Sequence, residues 1–146
     1  MAIEYEYFQL RKGVVINLGA GDGRELLRFA QNMDEGTIIA LEPEEMAYHQ
    51  LAYQMSLVRK VRTYPLDMAI ASKSGTATLN VDPQNPSAHS LLRPSLPQKQ
   101  MVKTISWDDL VDKFRLTVVD LLIVDVEGGE LELFEGMSKV FPHRIS

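Results

Sequence analysis

Strand-like and helix-like segments alternate along the first half of the chain. Residues 13–18, 37–43 and 61–66 are short apolar runs of strand character. Between them, residues 24–33 and 44–57 place apolar side chains at helical spacing. This β-α-β-α-β order predicts right-handed crossovers and a mostly parallel sheet with helices on both faces, and ligands that bind beyond the carboxyl ends of the strands.

The second half of the chain is less regular. Residues 75–81 and 101–107 are predicted strands on either side of a proline-rich loop, 82–100. Ser106, followed by an acidic first turn, is a predicted N-cap. The stretch "VVDLLIVDVEGGELELFEGM" then predicts a buried strand that leads into a helix. In the earlier helix at 44–57, Met46, Leu51 and Met55 are available for one buried face.

Composition and charge limit the class of protein. The chain has 146 residues, of which 45% are hydrophobic and 24% charged, as expected for one α/β domain over residues 1–146 with a short extension at 1–12. A net charge of -5 argues against a nucleic-acid partner. The chain contains no cysteine, which excludes disulfides and thiolate chemistry. The apolar runs are too short to span a membrane and no signal peptide is recognisable, so a cytoplasmic location is expected.

Three glycines follow the first predicted strand in "VVINLGAGDGRELL", at positions 19, 21 and 23. Bare backbone allows a ligand to approach closely, and a helix N-terminus offers amide donors. The dinucleotide-binding fingerprint requires its third glycine where this chain has Arg24, which disfavours NAD and FAD. Glu42 ends the next predicted strand, where a carboxylate can accept hydrogen bonds from both ribose hydroxyls. This order and spacing predict an S-adenosylmethionine site rather than an ordinary turn.

Several motifs occur in the order seen in one known family. "VVINLGAGDG", "ALEPEE", "AIASKSGTATL", "SAHSLL", "VKTISWDDLV" and "LLIVDVEGGELELFEGM" resemble the motifs of FkbM-type methyltransferases over about residues 13–137. The resemblance implies a Rossmann-like class I methyltransferase fold, S-adenosylmethionine as the cofactor and S-adenosylhomocysteine as the product. It also implies a small-molecule acceptor, since members with known products mostly methylate hydroxyls of sugars or natural-product scaffolds.

The resemblance also suggests roles for individual residues. It relates Gly19, Ala20, Gly21 and Gly23 to the cofactor loop, Glu42 to the ribose ligand, and Asp125 and Glu127 to an acidic pair that faces the active site. Asp125 is a candidate for both cofactor binding and catalysis. Asn17 replaces the family's usual aspartate near the cofactor's amino group, where its amide oxygen can still accept a hydrogen bond. Pro43 is expected to shape the adenine pocket.

The acidic pair, Asp125 and Glu127, has more than one possible role. Asp125 and Glu127 alternate along a strand and so point the same way at its carboxyl end. One of them is a candidate general base, or the two orient a sugar hydroxyl or hold a divalent cation. The structural alternative is that Glu127 and Glu130 favour the N-terminus of the following helix. His89 is a second candidate base, because the proline-rich loop is long enough to fold over an active site.

The end of the sequence leaves two interpretations open. Class I sheets commonly continue with further strands, whereas this chain stops at "VFPHRIS", where the next strand would begin. Either the fold is C-terminally truncated, or a partner or a second copy covers the exposed sheet edge. Two other functions are alternatives. One is a catalytically degenerate cofactor-binding or interaction module, which has no need of Glu42, Asp125 and Glu127 together; the other is a nucleotide-dependent oxidoreductase, which Arg24 disfavours.

Overall fold

The computed structural model describes residues 10–81, 98–126 and 130–146. In chain order its elements are β1 (Lys12–Leu18), α1 (Arg24–Gln31), β2 (Glu35–Leu41), α2 (Glu45–Ser56), β3 (Arg62–Leu66), β4 (Met68–Ile70), β5 (Gly75–Val81), β6 (Gln98–Ile105), α3 (Trp107–Lys113), β7 (Leu121–Val124) and α4 (Glu130–Glu135). The alternation predicted for the first half of the chain is confirmed, with boundaries that agree to within two residues.

The first sheet has the strand order β3-β2-β1-β7, and all of its pairings are parallel. Leu18 pairs with Leu41 on one side and with Val124 on the other, and Leu41 pairs with Leu66. The carboxyl ends of the four strands are therefore level. Because the chain leaves β1 toward β2 on one side and returns as β7 on the other, β1 and β7 flank a topological switch point, where ligands of such sheets bind.

A second, three-stranded sheet has the order β4-β6-β5, with β4 parallel and β5 antiparallel to β6. Strand β4 was missed in the sequence because three residues are too few to show a period. Strand β6 begins at Gln98, so the last three residues of the predicted proline-rich loop, 82–100, are strand. It ends at Ile105, and Trp107 opens α3 instead of closing the strand. The predicted N-cap is confirmed, because Ser106 Oγ accepts a hydrogen bond from the amide of Asp109 at 3.2 Å.

The first sheet is covered by helices on both faces, as predicted. Neighbouring residues of β1 and β2 alternate between two apolar clusters, with Val15 and Ile38 in one and Ile16 and Ile39 in the other. The helical residues of the first cluster are Leu26, Phe29, Ala30, Leu51 and Met55, and those of the second include Trp107, Leu110, Val111 and Leu133. Within the described ranges, no helix is long and apolar enough to cross a membrane.

One apolar position of α2 was assigned to the wrong face. Helix α2 buries Ala47, Leu51 and Met55, which follow one another at intervals of four residues. Met46 is 71% exposed, so its predicted place on the buried face with Leu51 and Met55 is wrong. An interval of five residues turns Met46 away from that stripe, since neighbours on a helix face are three or four residues apart.

Residues 143–146 lie beside β7 in parallel orientation. The amide of Leu122 donates to the carbonyl oxygen of Arg144 at 2.9 Å, and the amide of Ser146 donates back to Leu122 at 2.8 Å. The amide of Val124 donates to Ser146 at 2.9 Å. The edge of β7 that the sequence left exposed is thus paired with the chain's own last residues. Association of a second copy through this side of the sheet stays a prediction.

Candidate functional site

The loop between β1 and α1 contains three glycines with positive φ, 78° at Gly19, 63° at Gly21 and 83° at Gly23. A Cβ atom on Gly19 would lie 2.3 Å from the carbonyl oxygen of Asp125, and one on Gly23 would lie 2.9 Å from Cδ1 of Leu51. Among the described residues, nothing lies within 4 Å of a Cβ built on Gly21. Packing therefore accounts for the first and third glycines, whereas Gly21 faces open space that a ligand can enter.

The glycine loop is attached to the end of β2. The amides of Gly19 and Ala20 both donate to the carbonyl oxygen of Leu41, at 2.9 and 3.0 Å. The next amide, that of Gly21, donates to Oε1 of Glu42 at 2.9 Å. Three successive N–H groups thus fix the loop against β2, and the third of them uses the carboxylate that was predicted to bind ribose.

Glu42 is buried, with 6% of its surface exposed. Its Oε2 accepts a hydrogen bond from the amide of Glu44 at 2.9 Å. Burial raises the pKa of Glu42 to about 7; the amide hydrogen bonds from Glu44 and Gly21 oppose this rise, and the charges of Glu44 and Asp125 add to it. Each oxygen of the Glu42 carboxylate accepts one hydrogen bond from a backbone amide and can accept a further one. The group can therefore receive hydroxyl donors, and it does so best when ionised.

A second buried carboxylate, Glu44, belongs to the same turn. It is 8% exposed and forms the N-cap of α2, where its oxygens accept from the amides of Met46 at 3.1 Å and Ala47 at 2.6 Å. The helix N-terminus favours this negative charge. Sequence reasoning missed this role, because glutamate is not among the favoured N-cap residues and only its place before an acidic first turn hinted at it.

Asp125 follows β7 at the same edge of the sheet. Its amide donates to the carbonyl oxygen of Leu18 at 2.9 Å, its backbone packs against Gly19, and its side chain is exposed. Its charge acts on Glu42. Asn17, 1% exposed, lies one residue before the end of β1. The fold thus brings the predicted Asn17, glycine loop, Glu42 and Asp125 to one edge, whereas Glu127 and His89 lie outside the described residues.

A cleft of about 240 Å³ lies beside Pro43, and no residue of the glycine loop is among those that line it. Nine residues line it: Pro43, Glu45, Tyr48, His49, Asp67, Gln100, Met101, Val102 and Lys103. Pro43 forms part of this wall, and its predicted role in an adenine pocket stays a prediction. Asp67 and Gln100 were not anticipated, because only the pairing of distant strands brings them beside Pro43. Among the residues that the structure describes, no three His, Asp or Glu side chains are grouped to hold a metal ion.

The parallel sheet, the glycine loop after β1 and the carboxylate after β2 define a Rossmann-like α/β protein with its site at the switch point. The sequence matches the methyltransferase FkbM domain over residues 17–145, and the chain belongs to that family. It is similar to the hexuronic acid methyltransferase AglP of Haloferax volcanii, with 28% identity over 104 residues. That alignment covers 71% of this chain and 42% of the relative, so the chain spans less than half of the curated relative's length. No solved structure matches the chain significantly.

Proposed function

We propose that this chain is an S-adenosylmethionine-dependent methyltransferase that methylates an oxygen of a sugar or similar small acceptor, with a hydroxyl as the acceptor group. The observation that carries the proposal is the buried Glu42 carboxylate at the end of β2, bonded to the amide of Gly21. Membership of the FkbM methyltransferase family supports the reaction class. The name of the relative, a hexuronic acid methyltransferase, supports a sugar as the acceptor class.

The residues at this edge suit the parts of the cofactor in their chemical order. The open space at Gly21 admits the methionyl part, and Glu42 accepts from the ribose hydroxyls. The cleft beside Pro43 and Asp67 lies next along the edge and receives the base. When bound, the cofactor supplies an electrophilic methyl group carried on a sulfonium.

Among the described residues, Asp125 is the proposed general base. It lies beside the glycine loop, with an exposed carboxylate and its backbone against Gly19. A hydroxyl oxygen that gains a methyl group must lose its proton, and a positioned carboxylate can take it. Glu127 and His89 remain the other predicted candidates for this base. Positioning the acceptor oxygen in line with the methyl group accounts for the rest of the catalysis.

A uronic acid has a carboxylate as well as hydroxyl groups, and a carboxylate oxygen is a second possible methyl acceptor. This alternative is considered because the relative's name mentions hexuronic acid. A carboxylate carries no proton at neutral pH, so its methylation needs no base. Mild alkaline hydrolysis distinguishes the two products, because a methyl ester is cleaved and a methyl ether is not. An alkali-stable product from a sugar acceptor supports hydroxyl methylation, and an alkali-labile one assigns the reaction to the carboxylate.

The first test is calorimetric titration of the purified chain with S-adenosylhomocysteine. We expect binding by the parent and at least tenfold weaker binding by Glu42→Ala, which corresponds to about 1.4 kcal/mol. Glu35→Ala is the matched control, since Glu35 begins the same strand, is exposed and lies at the opposite end of the sheet. Absence of binding by a folded parent would refute the cofactor assignment for this chain. Equal losses of affinity in Glu42→Ala and Glu35→Ala would refute the role of Glu42 in ligand binding.

A further inference from the structure

Gln100 connects the second sheet to the turn that follows β2. Its Nε2 donates to the carbonyl oxygen of Pro43 at 3.4 Å, and its Oε1 accepts from the amide of Glu45 at 3.5 Å. These partners are 57 and 55 residues away in the chain. One side-chain amide therefore spans the turn formed by residues 43–45, with its donor at one end and its acceptor at the other.

The same turn orients Glu42. The amide of Glu44, in the middle of the turn, donates to Oε2 of Glu42 at 2.9 Å, while the Glu44 carboxylate caps α2. Oε1 of Glu42 is bonded to Gly21. A displacement of the turn would thus move one of the two amides that hold the Glu42 carboxylate. The connection runs from β6 through Gln100 to the turn, and from there to Glu42 and the glycine loop.

We propose that Gln100 is a positioning residue: it holds the turn at residues 43–45 so that the Glu42 carboxylate is aimed at the cofactor ribose. The orientation of Glu42 toward ribose rests on the proposed function, whereas the contacts between Gln100 and the turn exist in the protein without ligand. Both contacts are long and each is weak alone. A primary amide supplies a donor and an acceptor on one carbon, a combination that a carboxylate or an ammonium lacks.

The side chain of Gln100 can be changed without disturbing its strand, because β6 pairs with β5 through backbone groups and Gln100 lies opposite Leu79. Gln100→Met keeps the length of the side chain and removes both contacts. Lys99→Met is the matched control, since Lys99 is exposed and the alternation of a strand turns it to the opposite face. Gln100→Glu keeps an acceptor for the Glu45 amide, loses the donor to Pro43 and adds a negative charge near Glu42.

The first readout is amide hydrogen exchange in the protein without ligand, followed by NMR. In Gln100→Met we expect the Glu44 and Gly21 amides to exchange about three- to tenfold faster, the effect of one or two weak hydrogen bonds. The Asp120 amide, which donates to Val14 at the opposite end of the sheet, serves as the reference and keeps its rate. A general loss of stability would accelerate all three amides together.

The second readout is S-adenosylhomocysteine affinity as a function of pH. We expect Gln100→Met to bind about three- to tenfold more weakly than Lys99→Met. Gln100→Glu should move the pH midpoint of binding upward, since a nearby negative charge disfavours the ionised form of Glu42. This shift measures the added charge, whereas the affinity of Gln100→Met and the amide exchange rates test the positioning role.

The outcomes separate this inference from the proposed function. If the parent binds S-adenosylhomocysteine and Gln100→Met matches Lys99→Met in amide exchange and in affinity, the positioning role is overturned. If the parent does not bind while the Glu44 and Gly21 amides exchange faster in Gln100→Met, the hold on the turn is supported and the proposed cofactor is refuted. Should Gln100→Met fold poorly, amide exchange in Gln100→Glu, which loses the donor to Pro43, decides the question: unchanged rates at Glu44 and Gly21 overturn the positioning role.

Discussion

The amide of Gly21 donates a 2.9 Å hydrogen bond to Oε1 of Glu42, across 21 residues of chain. This bond makes the glycine loop and the carboxylate after β2 one unit, because each fixes the position of the other. The carboxylate is nearly enclosed, whereas the glycine faces open space. A ligand that approaches Gly21 therefore meets a backbone already ordered and a buried acceptor next to it, which reduces the ordering cost of binding.

The affinity for S-adenosylhomocysteine should depend on pH through Glu42. Its pKa is raised to about 7, and hydroxyl donors favour the ionised form. Affinity should accordingly be constant well above pH 7 and weaken as pH falls, by about tenfold at one unit below the pKa. Titration calorimetry at pH 6, 7 and 8 measures this slope. Glu42→Gln is the control and should bind weakly at all three values; a parent affinity independent of pH would contradict the assigned role.

The stability of the ligand-free protein should show the opposite trend with pH. Between the usual value of 4.5 and about 7, the folded state keeps a proton on Glu42 that the unfolded chain has released. Stability therefore falls as pH rises through this window, and the penalty is fully present above it, up to about 3 kcal/mol. Urea unfolding of the parent and Glu42→Gln at pH 5 and 8 tests this. The difference between the two proteins should shift in favour of the variant at pH 8; a constant difference would show that the carboxyl titrates normally.

The elements that sequence periodicity predicts well are those whose burial is set locally. Strands β1 and β2 each contain an apolar run, and the α2 stripe of Ala47, Leu51 and Met55 repeats every four residues. The glycine spacing and Glu42 were also visible in the sequence, because each occupies the end of such a run. Fold class and the approximate place of the site follow from these local patterns.

The remaining features depend on pairings between distant residues, which no local pattern records. Gln100 reaches Pro43 across 57 residues, and Asp120 bonds to the Val14 amide across 106. The pairing of Leu122 with Ile145 is equally invisible in the sequence. Each contact is created by strand order. The contacts of Gln100 with the turn at residues 43–45 and the pairing along the edge of β7 could therefore be found only in the structure.

The three glycines of the loop should respond differently to alanine. Gly19→Ala forces a Cβ to within 2.3 Å of the Asp125 carbonyl oxygen at a φ of 78°, and should destabilise the protein by about 2 kcal/mol or more. Gly21→Ala meets no described atom within 4 Å, so we expect only the cost of its positive φ, about 1 kcal/mol. Its larger effect should be on ligand affinity, because the methyl group occupies the open space.

Urea unfolding and S-adenosylhomocysteine titration of the two variants together test this division. Gly19→Ala should lower the free energy of unfolding more than Gly21→Ala does. Gly21→Ala should lose about tenfold in affinity while it remains folded. Unchanged affinity in Gly21→Ala would mean that the open space above this residue is not part of the ligand site.

Asp125→Asn should separate binding from turnover. The amide cannot accept the proton of an acceptor hydroxyl, so the rate of methyl transfer to a hydroxyl should fall by about 10²- to 10⁴-fold. Removing the charge of Asp125 also removes one cause of the raised pKa of Glu42, so the pH midpoint of S-adenosylhomocysteine binding should move downward. Single-turnover rates and calorimetry measure the two effects independently. A lowered midpoint with an unchanged rate would keep Asp125 beside Glu42 but transfer the base role to another residue or assign the reaction to a carboxylate acceptor, which needs no base.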